Sequence, residues 1–311
     1  MAIEHATVQV VRKPWGVADL HPWSEIDGSG EAIGELWFQR VDDNALIPAL
    51  LLKLLFTSEP LSIQVHPDDE FARSIGLPNG KTEAWYILSA TPGARIAVGL
   101  KRHLTPQELH ESIKDGSIAG LTQWRPAEKG DTIFVPAGTI HAIGAGIVLA
   151  EIQQRSDATF RLYDYGRQRE LHEGSAVAVS DAGPARAQFV PRSLTAERTT
   201  LVESPHFVLE RIDLPANSTW ALKADRETWM LVIEGLAKIG AANTTVGDVI
   251  FVEADHAIIE VGPDGIGGLI AYPGPDPIIS LLQEAGEQMT KSVGPSAVRL
   301  PASNEIVEAR T

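Results

Sequence analysis

The 311-residue chain contains no cysteine. That excludes disulfides and any thiolate metal site, so a metal would have to be held by imidazole, carboxylate or amide oxygen. Basic residues are in deficit: 26 Lys and Arg stand against 41 Asp and Glu, a formal net charge of −15. A surface of that sign repels polyanions, which argues against a general nucleic-acid or bilayer-surface role. A small anion held by a local basic cluster stays compatible with it. Long apolar runs are missing as well, since none approaches the ~20 residues needed to span a membrane. The opening MAIEHATVQVVRKPWG has no basic-then-apolar targeting pattern. These absences lead us to expect a cytoplasmic protein with no nucleic-acid or membrane partner. What is present is apolar content, 44%, enough to build cores for one large or two ordinary domains.

Most of that apolar content lies in short runs of branched and aromatic residues separated by Gly, Pro and Asn. Leu36 to Arg40, Leu61 to Pro67, Glu83 to Leu88 and Ala94 to Leu100 read as strands. Leu104 to Ile118 reads as one helix. Thr105 can cap it, Pro106 suits its first position, Glu108 completes a capping box, and Leu109 and Ile113 are four apart. A weak repeat follows: EAWYILSA from Glu83 resembles ETWMLVIEG from Glu227, and GDTIFVPAG from Gly130 resembles GDVIFVEAD from Gly247, in the same order. The pattern predicts a mainly β protein of two jelly-roll units, with a small helical insertion in the first. We expect the first domain over 1–185, a linker near Pro184 to Thr200, and the second domain over 186–311.

Gln64 and His66, in QVHPDDEF, lie two apart at a strand end and so share one face. Glu83 opens another strand, and His141 follows the PAG turn on a third. Two imidazoles, a carboxylate and an amide oxygen suit a divalent ion such as zinc, with a position left for water or substrate. A lone strand histidine is more often just a satisfied polar residue. Spacing alone does not tie Glu83 and His141 to the pair, because they are distant in sequence.

The stretches SIQVHPDD, GKTEAWY, PAGTIHAIG and EIQQRSDATFRLYDYGR, with KPWG and GELW upstream, resemble the type I phosphomannose isomerases, zinc enzymes of the cupin superfamily, in their short bacterial form. The resemblance runs in order over roughly residues 10 to 175. It implies two cupin-type units and the interconversion of mannose 6-phosphate and fructose 6-phosphate through a cis-enediol. It implies one zinc per chain on Gln64, His66, Glu83 and His141, and a small sugar phosphate as the partner. It places the active-site arginine at Arg161, the lysine before the Glu ligand at Lys81, an acidic residue near the sugar at Asp157, and phosphate contacts at Lys53 and Ser62. Arg155 departs from the small or amide residue usual there. The catalytic base stays open among Asp157, Lys81 and a hydroxide on the metal, and monomer and homodimer are both open.

Bland readings stand beside these. Lys53 in LLLKLLF fits the solvent side of a strand, Lys81 a turn, Ser62 the surface, and Arg161 a structural pair with Asp157 or Asp164. Trp15, Trp37 and Trp85 read as core. A metal cupin acting on another sugar phosphate, or a non-catalytic sugar-phosphate-binding regulator, are the alternatives. In the second unit, His256 falls two positions earlier after its GD pair than His141 does, and Glu227 has no histidine partners, so that unit is expected to hold no metal and Glu227 to have no part in turnover.

Overall fold

The computed structural model describes residues 2–28, 30–42, 45–285, 299 and 307–308; the end of the expected second domain, 286–311, lies largely outside them. Among the described residues no helix is long and apolar enough to cross a membrane.

Among the described residues the strands form three sheets. One is seven-stranded, in the order Val307–Glu308, Thr7–Val17, Ile33–Gln39, Leu50–Thr57, Ile147–Gln154, Glu83–Ala90, Thr132–Val135. A five-stranded sheet runs Phe160–Tyr163, Ile63–Val65, His141–Ile143, Arg95–Leu100, Thr122–Pro126. These two face each other over Trp15, Leu55, Trp85, Ile96, Val98, Ile133 and Leu149 and make the first jelly-roll unit. The third sheet, ten-stranded, is the second unit. Its long strands Thr228–Ile239 and Asp255–Pro273 pair with one another, with register shifts after Val232 and Gly235.

The strand Leu50–Thr57 is buried at every position. Its period of two explains this. Leu50, Leu52, Leu54 and Phe56 enter a core shared with Phe207, Leu209, Trp229 and Phe251 of the second unit. Lys53 and Leu55 therefore point the other way, into the first unit. The solvent-facing reading of Lys53 is overturned, since it is 2% exposed. The strands Glu83–Ala90 and Ile147–Gln154 behave alike. Ala84, Tyr86, Leu88, Ala150 and Ile152 join the shared core, leaving Glu83, Trp85, Glu151 and Gln153 to face inward.

The predicted helix is Pro106–Asp115, with the Thr105/Glu108 capping box formed and Gly116 closing it in the left-handed region. Short helices Asp69–Ser74, Ile118–Leu121 and Glu173–Val179 were not foreseen. Asp68 caps the first of them by accepting the Phe71 N–H. Strands near the two chain ends pair across the units. Ala2–His5 pairs with Val249–Glu253 of the second unit, and Val307–Glu308 pairs with Thr7–Val17 of the first. The expected linker also contributes Arg192–Ser193 to the second sheet.

Candidate active site

The site forms where the inward faces of the two first-unit sheets meet. In the large sheet Lys53 lies opposite Glu151, Glu151 opposite Trp85, and Gln153 opposite Glu83. In the small sheet His141 lies opposite Gln64, and Gln64 opposite Arg161. Residues far apart in sequence are thus brought together by register alone. His66 follows directly on Ile63–Val65, and its carbonyl accepts the Gly138 N–H at 2.9 Å. Gly138 is the glycine of the PAG turn, with φ of +84°, a conformation that a side chain there would strain.

His66, Glu83 and His141 are all buried, and each offers a ligand atom within 4.8 Å of the others. His66 Nε2 lies 3.4 Å from Glu83 Oε2, and His141 Nε2 lies 3.5 Å from Glu83 Oε1. Each imidazole is oriented from its other nitrogen. His66 Nδ1 faces the Ala158 carbonyl at 2.8 Å, and His141 Nδ1 faces the Thr139 carbonyl at 2.9 Å. A carbonyl can only accept, so the proton sits on Nδ1 and the Nε2 lone pairs converge. The Trp85 indole N–H holds Glu83 Oε1 at 3.0 Å. The Gln64 amide meets His141 Nε2 at 3.3 Å, and its oxygen accepts from Ser62. A half-turn of that amide would present oxygen to the cluster.

Electrostatics keep the donors in ligating form. Burial, then the neighbouring His66, lowers the His141 imidazole to about 3. Burial and the Lys81 ammonium lower His66. Burial alone would raise Glu83, but the Lys81 ammonium outweighs it and holds the carboxyl well below its ordinary range. At neutral pH the cluster is two neutral imidazoles and a carboxylate, the states that a borderline divalent ion requires.

A cavity of about 170 Å³ opens beside the cluster, with polar groups predominating in its lining. Lys53, Ser62, Gln64, Lys81, Asp157 and Arg161 all line it. Lys81 Nζ lies 2.5 Å from Glu83 Oε2, 3.1 Å from His66 Nε2 and 3.6 Å from Glu151 Oε1, so the turn reading of Lys81 does not hold. Arg161 pairs with neither Asp157 nor Asp164. Its Nε donates to the Glu170 carbonyl at 2.9 Å, and Asp164 is taken by Arg167 and Arg169. Ser62 is 3% exposed, so it is not a surface serine. Trp15 and Trp85 are core, whereas Trp37 is partly exposed and lies under Lys53 Nζ, 4.1 Å from the ring centroid.

Sequence reasoning missed Glu151, which lines the cavity at 3% exposure. Burial, then the Glu83 charge, pushes its carboxyl up to about 7, against the pull of Lys81 and Lys53. It also missed Lys13, Glu35, Arg169 and His172 on the cavity wall. Arg155, the flagged departure, is not in that lining; it holds the Pro48 and Leu50 carbonyls through Nε.

Asp164 yields a pH test. Burial raises its carboxyl, but Arg169 and Arg167 outweigh burial and hold it below the ordinary 3.8. Its contribution to stability is therefore complete above about 3.8 and is lost as pH falls through the lower folded-state value. Asp164→Asn should flatten the acid limb of the urea-midpoint profile below about pH 4. An acid limb of unchanged steepness would contradict this.

Two cupin-type units, one of them carrying a buried His–Glu–His cluster of metal-ligand geometry, define the class of protein. No protein-family model matches the chain. It is 36% identical over 218 residues to the mannose-6-phosphate isomerase of Streptococcus mutans serotype c, covering 68% of this chain and 67% of that one. It is 32% identical over 250 residues to the mannose-6-phosphate isomerase ManA of Bacillus subtilis, covering 75% and 77%. The chain belongs to the mannose-6-phosphate isomerase family, the type I phosphomannose isomerases, and is an isomerase. The crystal structure of the Bacillus subtilis mannose 6-phosphate isomerase matches it with a TM-score of 0.76 at 25% identity, over 88% of this chain and 100% of that one. A zinc-bound mannose 6-phosphate isomerase structure matches with a TM-score of 0.69 at 14% identity, over 88% and 100%. That last likeness speaks for the fold alone.

Proposed function

We propose that the chain interconverts mannose 6-phosphate and fructose 6-phosphate through a cis-enediol. The observation that carries this reading is the cluster of two Nε2 lone pairs and the Glu83 carboxylate, in contact with Lys81, which lines the neighbouring polar cavity together with Gln64, Glu151 and Arg161. His66, Glu83 and His141, with Gln64 after its half-turn, would hold one zinc ion. Bound there, the ion would supply Lewis-acid stabilisation of negative charge developing on the sugar.

The chain's own residues do the rest. Glu151 takes the proton from C2 of the aldose and returns it to C1 on the same face of the planar cis-enediol, while the hydroxyl proton passes from O2 to O1. A carboxylate buried beside two ammonium groups can act as base and then, once protonated, as acid. Asp157 is the weaker candidate. Its side chain is 60% exposed, and although burial raises it, Lys53 and Lys81 hold it below its usual range. Lys81 donates toward the oxygen that gains charge, and Arg161 steadies the same charge from the opposite sheet.

Lys53 and Ser62 carry the phosphate expectation. Lys53 Nζ is already shared by Glu35 at 3.4 Å, Glu151 at 3.7 Å and Asp157 at 3.4 Å. Three carboxylates around one ammonium would repel a phosphate dianion. We therefore assign Lys53 to ordering Glu151 and Asp157, and the phosphate to Ser62 with Lys13 and Arg169. Arg169→Ala should raise KM for the sugar phosphate about tenfold with kcat little changed, as for loss of a uniform contact. Lys53→Met should instead lower kcat. The opposite split would return Lys53 to the phosphate.

A coupled assay of fructose 6-phosphate formation tests the function itself. Mannose 6-phosphate should be converted in preference to other aldose 6-phosphates, and a chelator should abolish conversion. No product from zinc-supplemented protein would rule the reading out.

A further inference from the structure

Besides Glu35–Trp37 in the strand Ile33–Gln39, each unit carries a Glu-x-Trp motif at the start of corresponding strands, Glu83–Trp85 and Glu227–Trp229. Residues two apart in a strand share a face, so in both motifs the indole N–H grips the carboxylate. The distances are 3.0 Å in the first unit and 2.8 Å in the second. The remaining lone pairs then diverge. Glu83 faces the two histidines. Glu227, 6% exposed, crosses to the first unit and accepts the backbone N–H groups of Ala49 at 2.5 Å and Leu50 at 2.9 Å.

Those two amides open the strand Leu50–Thr57, which carries Lys53. The stretch Pro48 to Leu50 is gripped from the other side. Arg155 donates its backbone N–H to the Ala49 carbonyl at 2.9 Å and its Nε to the carbonyls of Pro48 and Leu50 at 2.9 and 3.1 Å. Arg155 leads in two residues to Asp157, which meets Lys53. It also follows Gln154, whose side-chain oxygen accepts the Thr82 N–H at 2.9 Å, between Lys81 and Glu83. Hydrogen bonds and short backbone links thus connect a second-unit carboxylate to Lys53 and Lys81.

We propose that Glu227 is a positioning residue: the second unit's counterpart of the Glu83 carboxylate clamps the entry of the Lys53 strand and so sets Lys53, Asp157 and Glu151 against the cluster. This rests on the isomerase reading for its kinetic consequence and assigns Glu227 the task that its sequence context does not reveal. It also gives Arg155 a role, as the opposing jaw of the clamp.

The test is Glu227→Gln. The variant keeps the volume, but its NH2 must face at least one of the three N–H donors. With the full chain loaded with zinc, kcat should fall about tenfold or more at unchanged metal content, as misplacement of a catalytic group requires. Hydrogen–deuterium exchange should rise in peptides covering 49–57 and 151–157. Glu210→Gln is the control, because it loosens the buried Arg198–Glu210 pair of the second unit away from residues 48–50. It should lower stability yet leave kcat and KM of the folded enzyme alone. Parent-like kcat in Glu227→Gln, or an equal kcat loss in the control, would overturn the proposal. The exchange arm needs no sugar phosphate. If the parent failed to isomerise mannose 6-phosphate, the isomerase reading would fall, and parent-like exchange in both peptides would still overturn the clamp while raised exchange supported it.

Discussion

His141→Ala should leave the protein with little bound metal and with turnover lowered by several orders of magnitude. His141 is fully buried, and its Nε2 lies 3.5 Å from Glu83 and 3.3 Å from the Gln64 amide. Removing one of two imidazoles leaves a carboxylate, an amide and a single nitrogen, a poor set for a tetrahedral N/O site. The fold should survive, because the strand His141–Ile143 keeps its pairing to Arg95–Leu100 through backbone groups. Elemental analysis of the purified variant, beside its circular dichroism spectrum, checks this. Full metal occupancy in His141→Ala would remove this residue from the ligand set.

Glu151→Gln should lower kcat by about 10²–10⁴-fold, the range for loss of a general base, while metal content stays at the parent level. The near-isosteric amide can still contact Lys53 and Lys81, so packing changes little. Exchange of the C2 proton of mannose 6-phosphate with solvent deuterium should slow in the same proportion as kcat. In the parent, the acid limb of the kcat profile should lie at or below about pH 7, because a bound cation lowers a carboxyl that burial and Glu83 have raised. A Glu151→Gln variant within a few-fold of parent kcat would shift the base to Asp157 or Lys81.

How much of this was legible in the sequence depended on whether a feature is local. The helix Pro106–Asp115 was legible because its capping box lies within four residues. Gln64 and His66 were legible as a pair because a strand repeats every two residues, and the likeness of EAWYILSA to ETWMLVIEG and of GDTIFVPAG to GDVIFVEAD pointed to two units with one plan. Glu151 was not, because its meaning comes from register: it sits opposite Lys53 on one side and Trp85 on the other. One signal was present all the same. LLLKLLF carries a single charge inside a run that is apolar on both faces, VLAEIQQ carries one behind an apolar start, and the two charges are opposite. Such a charge cannot be solvated on either face of a central strand, so it must meet a partner inside. The exchange of terminal strands between the units left no such mark, since Ala2–His5 has the look of any short strand. Glu227 was hidden for a further reason, because its partners are backbone amides, which carry no residue identity.

The most direct measurement is a zinc titration of chelated, desalted protein, read as conversion of mannose 6-phosphate. Turnover should begin near zero, rise in proportion to added zinc and level off at about one equivalent per chain, as expected for a single buried site with its donors already deprotonated. The same titration of His141→Ala should stay flat. Full turnover by parent protein stripped of metal, or a titration of His141→Ala that reaches the parent plateau, would contradict a single metal-dependent site at Gln64, His66, Glu83 and His141.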